Sequence, residues 1–201
     1  MRSVAPPLLP LLRSRVQGDL LALLYLHPDR EYSLTEAAAL IDTSVKTVHT
    51  EASRLVEAGF VRDARRGNVR LLRAVTDTPV ARPLTDLLAV TYGPLPVLTD
   101  LLAGVEGVAR AFIYGSWAAR YQGEPGPVPN DVDVLVVGTA DRDELDEVAR
   151  RAQERLARPV NVRRVRPAAW EADDPADAFL ASVRSRPLTE LHLPRSQDVP
   201  A

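Results

Sequence analysis

Apolar residues recur at helical spacing from Leu11 to Leu26 (Leu12, Val16, Leu20, Leu23, Leu24), which predicts one amphipathic helix ended by His27-Pro28-Asp29. Ser33 followed by Glu36 is a capping-box pattern and opens a second, alanine-rich helix over Leu34 to Ile41. Ser44 caps a third, in which Val45, Val48, Ala52, Leu55 and Val56 fall on one face and Gly59 ends the run. Its other face is polar: Lys46, Thr47, His49, Thr50 and Arg54. Beyond Gly59 the period shortens. Phe60 to Arg62 and Val69 to Leu72 read as short strands joined by residues 64–68, with Gly67-Asn68 suited to a hairpin turn.

Three helices followed by a basic hairpin is the order of a winged helix-turn-helix. Thr76-Asp77-Thr78-Pro79, with Pro83 close behind, marks a boundary at residue 78. After it come helical runs at Leu84 to Val90 and Pro96 to Ala103, then a buried-type strand at Val108 to Tyr114. A Gly/Pro-rich loop leads to a second strand, Asp131 to Val137. The pattern continues with a charged amphipathic helix at Asp141 to Ala157, a third strand at Val160 to Val165 and a tail helix from Phe179 to Leu191. The expected class is therefore α+β: a winged helix-turn-helix over 1–78, a small mixed-sheet α/β domain over 79–194, and a disordered tail over 195–201.

Composition narrows the chemistry. The 201 residues are 46% apolar, enough for packed cores, and contain no cysteine, which removes disulfides, thiolate metal sites and a cysteine nucleophile. The N-terminal MRSVAPPLLPLL is short and broken by prolines, without a signal-peptide cleavage pattern, and no run approaches the roughly 20 apolar residues of a membrane span. A cytoplasmic protein without a membrane partner is expected. Net charge is −2, but residues 1–80 hold eleven Lys/Arg against nine Asp/Glu, and residues 81–201 hold fourteen against eighteen. The local surplus lies between Phe60 and Arg73, where Arg62, Arg65, Arg66, Arg70 and Arg73 face only Asp63. Such a patch suffices for phosphate contact, because counterion release depends on where the cations sit.

A third helix enters the major groove on the face opposite its core, so Lys46, Thr47, His49, Thr50 and Arg54 are the candidate base-reading residues, with Arg65, Arg66 and Arg70 on the backbone or in the minor groove. The same three-helix unit also serves elsewhere as a dimerisation or docking module, and Glu51 and Asp63 oppose a strong electrostatic grip. One copy makes few contacts, so a homodimer on two-fold symmetric double-stranded DNA is expected. From Leu11 to Arg73 the chain resembles the winged helix-turn-helix of the ArsR-like regulators, with Ser44-Val45-Lys46-Thr47-Val48-His49 at the recognition helix and Arg65-Arg66-Gly67-Asn68 at the wing. It lacks the cysteine metal-sensing box of the metalloregulatory members.

The second half holds Phe112-Ile113-Tyr114-Gly115-Ser116-Trp117-Ala118-Ala119-Arg120 and Asn130-Asp131-Val132-Asp133. Gly115 permits a tight strand-to-helix turn against a phosphate, Ser116 adds a hydroxyl at the helix start, and Arg120 lies one turn on. Asp131 and Asp133, one residue apart on a strand, project to one face and are tolerated together when they share a magnesium ion. Either piece alone is commonly a plain turn or strand end; together they point to a nucleotide site. Trp117 and Trp170 read as packing residues.

This block, Leu84 to about Leu191, resembles the nucleotidyltransferase fold of the DNA polymerase beta superfamily, especially its minimal bacterial members. The order of the two parts is similar to winged-helix regulators of an actinobacterial type that carry such a domain. The resemblance implies a nucleoside triphosphate bound through Gly115, Ser116 and Arg120, with Mg2+ on Asp131 and Asp133. It also implies a third carboxylate on the following strand, where this chain has Asn161, an amide that ligates weakly and accepts no proton near neutral pH. Glu154, Asp173 and Asp174 are the alternative sources of a carboxylate. The leading expectation is a DNA-binding regulator whose C-terminal domain binds a nucleotide and alters operator affinity through residues 76–83. The alternatives are an active transferase that modifies a protein or small-molecule hydroxyl, and an antitoxin-like partner of a separate helical protein.

Overall fold

The computed structural model describes residues 12–172 and 177–193. The chain divides into two compact units between Gly93 and Pro94, and its class is α+β.

In the first unit, α1 (Arg15–Tyr25) is capped by Ser14, whose hydroxyl accepts from the Gln17 amide at 3.1 Å. A two-residue strand, β1 (Tyr32–Ser33), leads into α2 (Leu34–Leu40). The capping box is complete: Ser33 Oγ accepts from the Glu36 amide at 3.1 Å, and Glu36 Oε2 accepts from the Ser33 amide at 2.8 Å. Helix α3 (Val45–Glu57) starts at its Ser44 cap. It closes with two bonds, from the Gly59 amide to the Val56 carbonyl and from the Phe60 amide to the Leu55 carbonyl, the pairing of a Schellman motif. Val48, Ala52 and Leu55 enter the core, but Val45 stays 42% exposed because it sits in the first turn, before the helix reaches the core.

The hairpin of β2 (Val61–Arg66) and β3 (Val69–Ala74) is longer than its apolar positions predict, since pairing continues through the arginines to Arg66↔Val69. Strand β1 joins it through Tyr32↔Leu72 and Ser33↔Leu71, giving the antiparallel order β1-β3-β2. Two residues are too few to show an alternation, so only the pairing reveals β1.

Helix α4 (Ala81–Tyr92) belongs to this first unit, so the division falls after Gly93 and not at the Thr76–Pro79 stretch. The reason is packing: Leu88 is fully buried, and Leu84, Ala89 and Tyr92 lie against the same core as α1. Gly18 makes the approach possible, because a Cβ there would lie 2.0 Å from Tyr92 Oη and 2.9 Å from Leu12 Cδ1. Gly18→Ala is expected to cost about 1–3 kcal/mol in urea unfolding despite the better helix propensity of alanine. A Tyr92→Ala background should remove that cost. A Gly18→Ala protein as stable as wild type would show that α4 does not dock here.

In the second unit, α5 (Pro94–Leu102) precedes β4 (Val108–Tyr114), α6 (Ser116–Tyr121), β5 (Val132–Gly138), α7 (Arg142–Leu156) and β6 (Val160–Val165). The sheet order is β6-β5-β4-β7, with β5 and β6 parallel and the other pairs antiparallel. The expected tail helix is instead α9 (Ala178–Arg184) followed by β7 (Thr189–Glu190), with a short α8 (Pro167–Glu171) ahead of it. Pro187 interrupts the helix, and β7 finds its partners in Phe112 and Ile113, distant in sequence. Alternation sends Val132, Val134 and Val136 to the face covered by α5 and α7, which pack on each other. Phe112, Leu135 and Val137 take the other face, under Trp170, Phe179 and Val183 of α8 and α9.

Candidate functional site

On α3, Lys46, His49, Thr50 and Arg54 are exposed and Thr47 half-buried. The Thr47 hydroxyl is 2.8 Å from Ser44 Oγ, and that of Thr50 donates to the Lys46 carbonyl at 3.1 Å. Glu51, which reads as opposing DNA, is only 6% exposed and receives Arg54 Nη1 at 2.9 Å, so its charge is turned inward and compensated.

The wing arginines separate into distinct roles. Arg70 is pinned: its Nε donates to Asp63 Oδ2 at 2.7 Å and its Nη1 to Ser53 Oγ at 3.0 Å, joining β2, β3 and α3. Arg66 pairs with Glu31 at 3.1 Å, and Arg62 with Asp77 at 3.4 Å. Arg73 donates to the Pro28 carbonyl at 2.9 Å. Arg65 stands directly opposite Arg70 across the hairpin, on the face Arg70 shares with Ser53. Like charges opposed in this way repel. Asp63 relieves Arg70, whereas Arg65 has no ion pair or hydrogen bond among the described residues. Lys46 likewise has no ion pair among them. The candidate cations that remain uncompensated are therefore one on the helix and one on the wing. Pairing across 7 to 35 residues decides this, and the basic composition alone does not disclose it.

In the second unit the strand ends converge. Register places Tyr114 beside Asp133 and Asp133 beside Asn161, so the three share one face. Asn161 Nδ2 donates to Asp133 Oδ1 at 3.1 Å and lies 3.5 Å from Asp131 Oδ2, which sets both carboxylates on the same side. Gly115 closes the corner between β4 and α6 with φ +70°, in a conformation that favours glycine, and a Cβ there would lie 3.1 Å from Asp133 Oδ2. Ser116 opens α6 and is exposed. Burial pushes the Asp133 carboxyl above its ordinary range, Asp131 adds to the rise, and the Asn161 amide offsets part of it.

Arg120 is directed elsewhere: its guanidinium donates to the Glu124 carbonyl and lies against Gly126 in the loop before β5. Glu154 is held by Arg150 on α7, and Asp173 and Asp174 fall outside the described residues. Trp117 is buried under the Arg158 guanidinium, and Trp170 stacks on Phe112 at 5.1 Å, so both pack. Arg158 is buried and donates to the Pro129 carbonyl, two residues before Asp131.

No group of three or more His, Cys, Asp or Glu suited to a metal occurs among the described residues. Asp131, Asp133 and the Asn161 side chain nevertheless form an oxygen-rich donor set beside a glycine corner. Mg2+ commonly takes one or two protein carboxylates and completes its shell with water and phosphate, which this set fits.

Among the described residues no helix is long and apolar enough to cross a membrane. No family model and no curated protein matches the chain. Among solved structures it is similar to the AntR antimony-specific transcriptional repressor, with TM-score 0.33 and 25% identity, covering 40% of this chain and 68% of that one. It is also similar to the heme sensor protein PefR from Streptococcus agalactiae, solved in complex with heme, with TM-score 0.33 and 20% identity, covering 45% of this chain and 60% of the other.

Proposed function

We propose that this chain is a DNA-binding transcriptional regulator whose second unit binds a magnesium nucleoside triphosphate. The observation that carries the DNA reading is the uncompensated pair Lys46 and Arg65, with Thr47, His49 and Thr50 between the helix start and a wing that Arg70 ties to α3. Phosphate contact and base reading need those two kinds of group side by side. Anisotropy against duplex DNA from upstream of its own gene tests this reading. Wild type should bind with steep salt dependence, and Arg65→Ala should lower the slope of log K against log salt by about 0.9, the value for one lost phosphate contact. Arg70→Ala should weaken binding with the slope unchanged, because Arg70 positions the wing and touches no phosphate. Absence of salt-dependent binding to any duplex rejects the regulator reading.

The protein acts as a homodimer in this reading. The outer side of α4 carries Val80, Leu87 and Val90 at 52%, 44% and 53% exposure, with Pro83 also exposed. Their spacing of three, four and three residues is that of a helix–helix seam. Arg82 and Asp86, of opposite sign, flank it and suit pairing with a second copy.

In the second unit, Asp131 and Asp133 would hold Mg2+, whose charge would offset that of the phosphates, and Ser116 and the Gly115 corner would receive the phosphate chain. Transfer to an acceptor hydroxyl needs a group that accepts its proton. Position 161, beside Asp133, holds an amide, which favours binding without turnover. Incubation with labelled nucleoside triphosphates and magnesium should leave no label on protein or small molecules, and label that vanishes in Asp131→Asn/Asp133→Asn would promote the transferase reading. Operator affinity measured with and without Mg-ATP tests the regulatory link, which fails if the two values coincide.

A further inference from the structure

We propose that Arg163 is the phosphate-binding cation of the second unit's site, where it holds the terminal phosphates of a magnesium-bound nucleoside triphosphate. The assignment rests on the nucleotide reading above and deepens it. Charge states the need first. A magnesium ion balanced by Asp131 and Asp133 leaves a triphosphate chain, of about four negative charges, without compensation. A fixed cation on the carboxylate side is required.

Arg120, nominated by its place one helical turn after the Gly115-Ser116 corner, is engaged with Glu124 and Gly126. The neighbouring arginines are also committed. Arg110 is paired in bidentate fashion with Glu190 at 2.8 and 2.9 Å, Arg158 is buried on Pro129, Arg164 donates to the Ala140 carbonyl, and Arg184 donates to the Trp170 carbonyl.

Arg163 differs on each count. On β6 it follows Asn161 by two residues, and in register Asn161 pairs with Asp133 while Arg163 pairs with Leu135. Alternation therefore puts Arg163 on the face of Asp133 and Asn161, roughly 7 Å further along the strand, close to the span of two phosphate groups. It is exposed and makes no ion pair among the described residues. Its guanidinium lies 3.5 Å over the centre of the Phe179 ring, and that ring meets Tyr114 edge-on at 5.9 Å. Stacking orients the planar fork without using its N–H donors, which stay available for phosphate oxygens.

Displacement of a fluorescent N-methylanthraniloyl-ATP from the full chain in magnesium, by ATP and by AMP, tests the assignment. Arg163→Gln should weaken ATP at least tenfold and AMP less than twofold, because AMP lacks the phosphates that Arg163 holds. Arg163→Lys, which keeps the charge and an aliphatic stem over Phe179, should recover part of the ATP affinity. Arg151→Gln on exposed α7 serves as the control and should match wild type. Equal ATP binding by wild type and Arg163→Gln overturns the assignment while the nucleotide reading stands. Equal losses for ATP and AMP, with a lowered melting temperature, also overturn it, since Arg163 would then serve packing on Phe179. If wild type binds neither nucleotide at millimolar concentration, the nucleotide reading falls and the assignment with it.

Discussion

Asp133→Asn is expected to bind magnesium-ATP at least a hundredfold more weakly than wild type, and yet to melt at a higher temperature than wild type in a chelator at neutral pH. The loss follows from removing one of two carboxylates that would hold the ion; even partners of metal ligands are worth about 10–100-fold. The gain has a separate origin. Burial first, and Asp131 second, raise the Asp133 carboxyl above its ordinary pKa, so the folded state favours the protonated form. An acid whose folded pKa is raised contributes stability at low pH and loses it as pH climbs through that value. At neutral pH the ionised Asp133 is thus a cost to the empty fold, which a neutral amide removes. The difference between the proteins should vanish as pH falls below the ordinary carboxylate range. Calorimetric melts in chelator across that window check the sign, and a variant that melts lower at neutral pH would refute the picture of two repelling carboxylates awaiting a cation.

The second large effect concerns α4. Leu87→Glu should convert a dimer at micromolar concentration into a monomer and weaken binding to a two-fold symmetric operator by about 10²–10⁴, the gain that joining two modest half-site contacts supplies. Leu87 lies near the middle of the seam. In an antiparallel pairing about Thr85, Val80 meets Val90 and Pro83 meets Leu87, so a charge at 87 falls into the apolar centre from both copies. Thermal stability should change little, since Leu87 is 44% exposed and Leu88 is the residue that enters the core. Sedimentation velocity and operator binding report the two outcomes together. A monomeric wild type, or a dimeric variant with full affinity, would contradict the symmetric reading.

Several features were legible because their causes are local. The Ser33–Glu36 box and the Ser44 cap act within one helical turn, and both helices begin where those residues stand. Strands β4 and β6 keep their expected limits because a run of apolar residues between turn signals has few other solutions. The common side of Asp131 and Asp133 follows from the strand period alone. Other features have remote causes. The two-residue strands β1 and β7 exist only through partners 38 and 76 to 78 residues away. The wing's charge shows the same limit. Five arginines look equivalent in a row, but Asp63, Glu31, Asp77 and the Pro28 carbonyl claim four of them.

The boundary between the units makes the same point through packing. Thr76-Asp77-Thr78-Pro79 has every mark of a linker, but the apolar face of α4 is buried against α1 and moves the division beyond Gly93. In the second unit, helical spacing nominated Arg120, and it is a carbonyl in the following loop that engages its guanidinium. The sequence by itself determined where helices and central strands begin, which faces are apolar, and that two carboxylates stand together, since each is settled by bonds and sterics within a few residues. Only the tertiary structure decided which cations stay uncompensated, which unit owns α4, and which residues stand beside Asp133, because a charge is neutralised and a face is buried by groups brought close in space from far along the chain.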